Sequence, residues 1–497
     1  MDPIPTWMVK KCVDELLPII TRIINLSFLR GKFPDSLKSA RITPLIKKQS
    51  LDSDILKNYR PVANLTFLAK TIERACTSQI QDYLDRESLR GKMQSAYRPC
   101  FSTETALLRV YNDLLLAVDI GNEAVLILLD YSAAFDTINH DILLDRLVNR
   151  YGISDSALNW FKSYFTNRSQ SIVINNSVSK PHTPLEGVPQ GSVIGPLVFT
   201  MFTSPLEDII ASHGFGRMIY ADDTQVYVIL NHDDASLIPK LERCISDIKA
   251  WSSANDLKLN EEKTEVLHIS SKFRKSSSLS SVNIASVPVE PVNSARNLGV
   301  VVTKDLSMDK YINNKCRSAS YALYKIGRIR NCLDGKTTET LVHAFITCHL
   351  DQCNSLLYGL PDSLISKLQR IQNSAARLVS RTRSKDHITP VLRKLHWLPI
   401  KYRIMYKILL LTFKCLHGLA PDYLADLIHE YKPSRNLRSS SKLNLVSPSV
   451  STISYGQRSF YHAAPKLWND IPYHIKNSMT LGQFKSSLKT HMFTLAF

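Results

Sequence analysis

Three aspartates stand where a chain could use them to bind divalent cations. Asp130 follows six continuous apolar residues, 124–129, and Asp222 and Asp223 separate two segments in which apolar and polar residues alternate. Carboxylates brought to one open point by separate strands can hold two divalent ions about 3.5–4 Å apart, an arrangement that serves phosphoryl transfer. An Asp-Asp pair alone is more often part of a turn, so the inference depends on the flanking residues.

The elements that must position these acids are strands. Residues 124–129 are typical of a buried central strand that carries Asp130 at its end. The alternation over 217–230 predicts a β-hairpin with Asp222 and Asp223 in its bend. Around them the sequence predicts helices over 13–29, 66–85, 103–118, 140–151, 156–165, about 235–255 and 308–382, extended runs at 41–48 and 171–175, a glycine-rich loop at 187–195, a helical or buried segment at 198–202, and polar links at 270–281 and 432–451.

Length and composition limit the class of protein. A chain of 497 residues suggests roughly two to four domains. The formal net charge of +18 favours a polyanionic partner, with nucleic acid ahead of anionic membrane. The nine cysteines include no C-x-x-C pair, so free thiols are expected. Residues 1–12 do not resemble a signal peptide, and no apolar stretch is long enough to span a bilayer, so we expect a soluble intracellular protein without a membrane partner.

Motifs follow one another in a fixed order along the chain. They are Asn58–Pro61, Gln94–Pro99, Ser102–Thr105, Leu129–Thr137, Gly187–Ser192, Tyr220–Asp223, Leu257–Asn260, Lys263–Glu265, Asn297–Val300, Cys353–Gly359, His396–Pro399 and Pro465–Trp468. This ordered set resembles the reverse transcriptases of non-LTR retrotransposons (the LINE type), most of all the jockey-like branch. The resemblance covers nearly the whole chain.

The resemblance implies an α+β fold of the right-hand polymerase type. Such a fold has helical fingers, an antiparallel-sheet palm, a helical thumb and, in this branch, a mixed or helical basic C-terminal domain. The predicted divisions are an N-terminal helical extension at 1–40, fingers at 41–120, a palm at 121–305 (with the reverse transcriptase core at about 41–270), a thumb at 306–383 and the basic domain at 384–497.

The resemblance also assigns roles to the acids. Asp130 and Asp222 are expected to hold both ions, with Asp223 completing the acidic site and the carbonyl of Tyr131 binding one ion. The implied cofactor is a pair of Mg²⁺ ions, with Mn²⁺ as a substitute. Asp136, in contrast, is expected to order its turn by hydrogen bonding.

Nucleotide contacts are implied on both sides of this acidic site. The ring of Phe135, five residues beyond Asp130, would lie beneath the sugar and exclude a 2′-hydroxyl; the alternative is an ordinary core position. Gln190 and Gly191 would contact the incoming nucleotide, because glycine permits close backbone approach.

The triphosphate requires cations. Arg98 is the main candidate, since guanidinium suits phosphate, and Arg60 and Lys48 are weaker ones. Each could equally be a solvated surface residue. Lys263 could donate a proton to the leaving pyrophosphate, or could form a salt bridge with Glu261 or Glu265.

Basic residues after Val300 are interleaved with tyrosines and resemble a thumb that follows the backbone of a nucleic-acid duplex. The candidates are Lys310, Lys315, Arg317, Lys325, Arg328 and Arg330, beside Tyr311, Tyr321 and Tyr324. The tail adds Lys385, Arg393, Lys394, Arg435, Arg438 and Lys442, which could bind template or target. Trp397 and Trp468 are expected in the core.

The function that the resemblance implies is RNA-directed DNA polymerisation, a nucleotidyl transfer from deoxynucleoside triphosphates to a DNA primer on an RNA template. A ribonucleoprotein in nucleus and cytoplasm is the expected setting. Relatives carry an endonuclease ahead of the polymerase, and the residues before Arg41 are too few for one, so none is expected in this chain.

Two departures from the family pattern keep an alternative open. Cys100-Phe101 stands where Gly-His is common, and the loss of the glycine is expected to strain that loop. The run from Phe202 to Leu206 replaces a more usual Tyr-Ile-Asn-Asp-Leu, with a change in local packing. The alternative is a catalytically decayed or repurposed nucleic-acid-binding protein; an RNA replicase and a structural RNA-assembling protein are more distant alternatives.

Overall fold

Alternating and continuous apolar runs form the strands of this protein. The computed structural model describes residues 2, 4–132, 134–175, 177–231, 234, 236–274, 279–284, 287–432 and 442–497. The strands in these ranges are β1 (Ser39–Ile46), β2 (Tyr59–Asn64), β3 (Glu123–Leu129), β4 (Tyr131–Ser132), β5 (Ser169–Ile174), β6 (Ser177–Val178), β7 (Gly216–Tyr220), β8 (Asp223–Leu230), β9 (Lys258–Leu259), β10 (Glu265–Ile269), β11 (Val282–Ile284), β12 (Val287–Val289), β13 (Ser294–Asn297) and β14 (Val300–Thr303).

Helices surround these strands and make up most of the C-terminal half. They are α1 (Thr6–Lys11), α2 (Val13–Leu29), α3 (Phe67–Arg86), α4 (Thr103–Asp119), α5 (His140–Asn149), α6 (Asp155–Phe165), α7 (Gly195–Phe202), α8 (Pro205–Ser212), α9 (Leu237–Ala254), α10 (Asp309–Ile329), α11 (Gly335–Val342), α12 (Cys348–Asp351), α13 (Asp362–Ser380), α14 (Thr389–Lys394), α15 (Ile400–Leu416), α16 (Asp422–Ala425), α17 (Phe460–Asp470), α18 (Tyr473–Lys476) and α19 (Leu481–Ala496). None of the helices in the described ranges is long and apolar enough to cross a membrane.

The central sheet is antiparallel, with strand order β10-β3-β8-β7. Residues 124–129 of its strand β3 are continuously apolar, as expected of a strand with both faces buried. Ala124 and Leu126 enter one hydrophobic core, and Val125, Ile127 and Leu129 enter the other. Since successive side chains of a strand point to opposite faces, this one strand joins the two cores of the molecule.

The two cores lie on opposite faces of the central sheet. One contains Trp160 and Phe199 and is built with helices α3 and α5–α9. The other contains Tyr111 of α4 and continues into the C-terminal helices, with Phe413 and Trp468. Trp468 and Trp397 are buried, as expected from the sequence. The fold is therefore α+β, with an antiparallel sheet between two helical layers, as the resemblance implies.

A second sheet has the order β2-β1-β5-β6, and its strands lie on both sides of β3 in sequence. Strand β1 pairs antiparallel with β2 and parallel with β5. The register places Ala63 of β2 opposite Ile42 of β1, and both are buried. This sheet holds β2 beside the loop that precedes α7.

The C-terminal helices dock on α4, the helix that covers one face of the central sheet. Asp119, at the end of α4, accepts hydrogen bonds from the amides of Ser451 (2.8 Å) and Thr452 (2.6 Å). Glu104, at its start, accepts from the amide (3.2 Å) and hydroxyl (2.7 Å) of Ser355. Helix α15 packs against both α17 and α19. The C-terminal region is thus joined to the sheet through polar contacts at both ends of one helix.

Most predicted elements are confirmed, with small shifts at their ends. The periodic segments at 13–29, 66–85 and 103–118 form α2, α3 and α4, and the segment at 198–202, left open as helical or buried, is both. The start of α3 differs by one residue, because Thr66 is its N-cap and its side chain accepts from the amide of Ala69. Helix α4 begins at Thr103 as predicted. Parts of the predicted polar links, 275–278 and 433–441, lie outside the described residues.

The two departures from the family pattern have different outcomes. Cys100 has φ +68°, a left-handed conformation that glycine adopts more easily, so the expected strain is present. The ring of Phe101 packs edge-on against Tyr423 at 5.8 Å. The expected disturbance after residue 202 is wrong, because Phe202 and Leu206 are almost completely buried and pack in one core.

Candidate active site

Strand pairing brings the three aspartates to one end of the central sheet. Strands β3 and β8 pair in a register that places Leu129 opposite Thr224. Asp130 is the next residue after Leu129, and Asp223 is the residue before Thr224, so the two acids leave adjacent strands at the same end. Paired Cα atoms in such strands lie about 4.5–5.5 Å apart. The hairpin expected from the sequence is confirmed, with Tyr220 opposite Asp223.

The hairpin bend consists of Ala221 and Asp222. Ala221 is buried and has φ +58°, a left-handed conformation that costs a residue with a Cβ atom some energy. Its amide donates to Oε1 of Gln94 at 3.1 Å. A conformation that costs energy is therefore maintained by a side chain from another segment.

The electrostatics of the acids show mutual repulsion. Burial raises the pKa of Asp222, the charge of Asp130 raises it further, and Arg60 lowers it. Partial burial raises the pKa of Asp223 to about 6, with further contributions from Asp222 and then Asp130. Like charges held this close favour protonation or a bound cation. Within the described residues, no three or more His, Cys, Asp or Glu side chains form a ready-made metal site.

Lys263 pairs with the first of these acids. Its Nζ lies 3.3 Å from Oδ2 of Asp130, whereas Glu261 is paired with Lys249 at 2.8 Å. The alternative considered from the sequence, a salt bridge to Glu261 or Glu265, is therefore wrong in its partner. The Lys263 side chain is 67% exposed, so the pair is open to solvent and can be separated at low cost.

The glycine-rich loop is connected to the turn after Asp130. Nε2 of Gln190 donates to both carboxylate oxygens of Asp136, at 2.9 and 2.8 Å. The amide of Ala63 in β2 donates to the carbonyl of Gln190 at 2.7 Å. Asp136 thus makes the hydrogen bonds expected of it, and its partner lies on a different loop.

Gly191 also lies against β2. It has φ +121°, and a Cβ atom there would lie 2.6 Å from the carbonyl oxygen of Ala63. Phe135, in the turn after Asp130, contacts the start of the same loop: its carbonyl accepts from the amide of Val188 at 2.9 Å. Its half-buried ring stacks on Phe199, with centroids 4.4 Å apart. One face of the Phe135 ring is therefore supported by the core.

The Tyr131 side chain is directed into the protein. It is buried, with its hydroxyl 3.4 Å from Oγ of Ser252, and burial raises its pKa to about 12. Strand β4 pairs Tyr131 with Leu259 of β9. Any contact of Tyr131 with an ion therefore involves its backbone, as the resemblance implies.

The two arginines predicted to bind the triphosphate have different surroundings. Arg98 donates to the carbonyls of Gly91 (2.9 Å) and Gln94 (3.2 Å) and lies 3.9 Å from the ring centroid of Phe101. These contacts hold the segment that precedes α4. The charge of Arg60, the weaker candidate, instead acts on Asp222.

Two residues of the site were given no role by the sequence argument. Gln94 accepts the hydrogen bond from Ala221 described above, and Tyr97 lies near Asp222, whose charge adds to the effect of burial in raising the pKa of Tyr97. Both belong to the Gln94–Pro99 motif. The motif was therefore a signal, although it did not say which of its side chains would face the hairpin.

The basic helix α10 has an exposed and a buried set of side chains. Lys325 lies 4.4 Å from the ring centroid of Tyr321, and Arg328 lies 6.0 Å from that of Tyr324. The two tyrosines are 61% and 62% exposed. Cations and aromatic rings together on an open surface suit a nucleic-acid backbone and bases.

The other basic residues of α10 make contacts different from those of Lys325 and Arg328. Lys310 donates to Oγ of Ser294 at 2.9 Å, and Lys315 donates to Oε1 of Gln352, while Arg317 is exposed. Of the tail candidates, Lys385, Arg393, Lys394 and Lys442 are described, and Arg435 and Arg438 lie outside the described residues.

The expectation for Arg330 is not supported. The residue is 8% exposed, and its guanidinium donates to the carbonyls of Leu378 (2.7 Å), Leu333 (2.7 Å) and Val379 (2.9 Å). Two of these carbonyls, those of Leu378 and Val379, belong to the last turn of α13, where carbonyls have no hydrogen-bond partner within the helix. Arg330 therefore joins α13 to the segment that follows α10 rather than facing nucleic acid.

A four-stranded antiparallel sheet with three aspartates at one end, between helical layers, is the arrangement of a right-hand nucleic-acid polymerase. Residues 46–302 match the family model described as "Reverse transcriptase (RNA-dependent DNA polymerase)". This range covers just over half of the 497 residues and includes all three aspartates. The chain belongs to the reverse transcriptase family.

Relatives of known name agree with this membership. The chain is 25% identical over 387 residues to the probable RNA-directed DNA polymerase from transposon BS of Drosophila melanogaster, covering 74% of this chain and 41% of that protein. It is 26% identical over 389 residues to that from transposon X-element of the same organism, covering 76% and 42%. The chain spans about two fifths of the length of these curated relatives. The resemblance drawn from the motifs is confirmed.

Among solved structures, the apo telomerase of Candida tropicalis is similar to this chain. The TM-score is 0.43 at 10% sequence identity, with 83% of this chain and 72% of that chain covered.

Proposed function

We propose that this chain is the polymerase of a non-LTR retrotransposon and adds deoxynucleotides to a DNA 3′ end on an RNA template. The observation that carries the proposal is the meeting of Asp130 with Asp222 and Asp223 at one end of the paired strands β3 and β8. This meeting lies within the range that matches the reverse transcriptase family.

The donor set fits magnesium. All three side chains are carboxylates, which offer the hard oxygen ligands that Mg²⁺ prefers, and Mg²⁺ commonly takes only one or two protein carboxylates beside substrate phosphates and water. Asp130 and Asp222 would hold the ions, with Asp223 and the backbone of Tyr131 completing the site. When bound, the pair of ions would lower the cost of forming the attacking oxygen and of releasing pyrophosphate.

The surrounding residues would place the nucleotide against these acids. Gln190 and Gly191 lie on a loop that is fixed to β2 and to Asp136, so this loop would present a fixed backbone to the base or sugar. The ring of Phe135, supported by Phe199, would lie beneath the sugar and exclude a 2′-hydroxyl. Arg60 is the better-placed cation for phosphate.

Lys263 would serve the leaving group. Its ammonium lies at Asp130 in the described state. Binding of cations at Asp130 would weaken that pair, because the carboxylate would then be neutralised by ligation. The freed Nζ could then donate a proton or a hydrogen bond to pyrophosphate.

The template–primer duplex would lie along the exposed face of α10. Lys325 and Arg328, with Tyr321 and Tyr324, supply a sequence-independent surface whose affinity should fall with salt. In this proposal residues 41–120 act as fingers, 121–305 as palm, 306–383 as thumb and 384–497 as the basic C-terminal domain.

Primer extension on poly(rA)/oligo(dT) tests the proposal. We expect Mg²⁺-dependent incorporation of dTTP by the wild-type chain and none by Asp222→Ala, with RNA binding retained by both. Binding without extension by the wild-type chain would instead support a nucleic-acid-binding protein that has lost catalysis. Extension by Asp222→Ala at the wild-type rate would exclude this aspartate from the reaction.

A further inference from the structure

A short segment ahead of α4 extends the central sheet beside the hairpin. Gln94 forms a parallel bridge with Ile219 of β7. The amide of Ile219 donates to the carbonyl of Met93 at 3.0 Å, and the amide of Ser95 donates to the carbonyl of Ile219 at 2.8 Å. Strand β7 is the last strand of its sheet, so residues 93–95 cover its outer edge next to the bend.

Gln94 connects this segment to the bend itself. Its Oε1 accepts from the amide of Ala96 at 3.0 Å and from the amide of Ala221 at 3.1 Å. Ala221 is buried and left-handed, so its N–H would lack a partner if the Gln94 oxygen were removed, and a buried donor without a partner is costly. Asp222 is the next residue, so the position of its carboxylate depends on the hydrogen bond between Ala221 and Gln94.

Tyr423, from the C-terminal region, also contacts the segment at 93–95. The residue belongs to α16 and is 2% exposed. Its hydroxyl lies 3.0 Å from Oγ of Ser95 and 3.1 Å from Oγ1 of Thr105, and its carbonyl accepts from Arg109 at 2.8 Å. Both Thr105 and Arg109 lie on α4. Tyr423 therefore joins the segment at 93–95 to the helix that follows it.

We propose that Gln94 and Tyr423 are positioning residues for the candidate active site. Gln94 holds the bend that carries Asp222, and Tyr423 holds the segment that carries Gln94. The family match ends at residue 302, so the reverse transcriptase core would depend on a contact from outside it. The inference rests on the proposed function only for its effect on catalysis; the structural connection stands separately.

Kinetics test the catalytic part. Gln94→Met keeps the side chain's size and removes the acceptor, and Tyr423→Phe removes only a hydroxyl. Because small displacements of reacting groups can cost about 100-fold, we expect Gln94→Met to lower kcat for dTTP addition about 10-fold or more and Tyr423→Phe to lower it less. KM for dTTP and the Kd for template–primer should stay within about twofold of wild type. The double variant should lose less than the product of the two single effects, because both act through one connection.

Matched controls separate positioning from general destabilisation. Gln372→Met removes a buried amide that donates to the carbonyl of Leu398, and Tyr402→Phe removes a hydroxyl that donates to the carbonyl of Leu495. Both lie in the C-terminal half, away from the hairpin. They are expected to leave kcat within about twofold, whatever they do to the unfolding temperature. An equal loss of kcat in these controls, or an unchanged kcat in Gln94→Met, would overturn the proposal.

Hydrogen exchange gives a readout that needs no activity. In Gln94→Met, and to a smaller extent in Tyr423→Phe, we expect the amide of Ala221 to exchange faster than in wild type, with no such change in Gln372→Met or Tyr402→Phe. Unchanged exchange at Ala221 in Gln94→Met would also overturn the proposal. If the wild-type chain does not extend primers while the exchange result is as expected, then the proposed function fails and the positioning connection remains.

Discussion

The hairpin with its aspartates and the basic helix α10 differ in how far the positions of their charged side chains follow from the sequence. At the hairpin, strand register alone brings Asp130 beside Asp223, because backbone hydrogen bonds determine which residues face each other. At the end of α10, two cations two residues apart have different surroundings: Arg328 on the helix is exposed, and Arg330 just after it is buried and donates to carbonyls. A site built from strand ends can thus be inferred from the chain, whereas a charged helix needs its neighbours to be known.

The largest effect is expected when a carboxylate is removed from the strand end. We expect Asp130→Asn to lower primer extension roughly 100-fold or more, since a bound ion contributes several kcal/mol to the transition state. Asp136→Asn is the matched control, because an amide oxygen can still accept from Gln190, and its loss should be much smaller. Comparable rates for Asp130→Asn and wild type in a primer-extension assay would mean that the strand-end acids are not the catalytic site.

The next effect concerns stability. Arg330→Ala leaves three carbonyls without their charged donor, and we expect the free energy of unfolding to fall by about 2–3 kcal/mol. Arg328→Ala, at an exposed position on α10 two residues earlier, should change it by about 0.5 kcal/mol or less. Chemical denaturation of both variants measures this difference. If Arg330→Ala were as stable as wild type but bound template–primer weakly, then the assignment of Arg330 to packing would be wrong.

The sugar gate gives a smaller and more specific effect. Phe135→Ala opens space beside the stacked Phe199, and we expect discrimination against ribonucleotides to fall about 10-fold or more. Phe135→Tyr keeps the ring and should keep the discrimination. The ratio of kcat/KM for dTTP and UTP on the same template measures both variants. An unchanged ratio in Phe135→Ala would return this residue to an ordinary core position.

The smallest effect is expected on the open face of α10. Lys325→Ala and Arg328→Ala should each weaken template–primer binding a few-fold and reduce the slope of log K against log salt by roughly one. Arg86→Ala removes an exposed cation from α3 and serves as a control with an unchanged slope. Titrations of a labelled RNA–DNA hybrid at several salt concentrations measure the affinity and its salt dependence in each variant. Equal slopes in all three variants would indicate that α10 does not face the duplex.

Much of the fold was predictable because periodicity reports burial locally. The continuous apolar run before Asp130 and the alternation on both sides of Asp222 require particular strand environments, and β3, β7 and β8 formed where those patterns lie. The helices α2, α3 and α4 were likewise visible from apolar positions three and four residues apart. Small errors at the ends, such as Thr66 as the N-cap of α3, reflect capping chemistry that a periodic pattern does not contain.

Partners of long charged side chains were less predictable. Lys263 pairs with Asp130 rather than with an adjacent glutamate, and Arg98 donates to nearby carbonyls while Arg60 acts on Asp222. Long side chains can reach several partners, and the choice depends on which segments are brought within a few ångströms. Sequence distance does not contain that information.

By itself the sequence determined which residues could supply chemistry and which segments would be strands or helices, because residue type and apolar spacing act over a few neighbouring positions. Only the tertiary structure decided that Gln94 supports the Ala221 bend, that Tyr423 reaches Ser95, and that Arg330 is withdrawn from the surface. The first and third of these contacts span 127 and about 50 positions, and the second spans 328. Contacts over such separations exist only once both cores have packed against the central sheet.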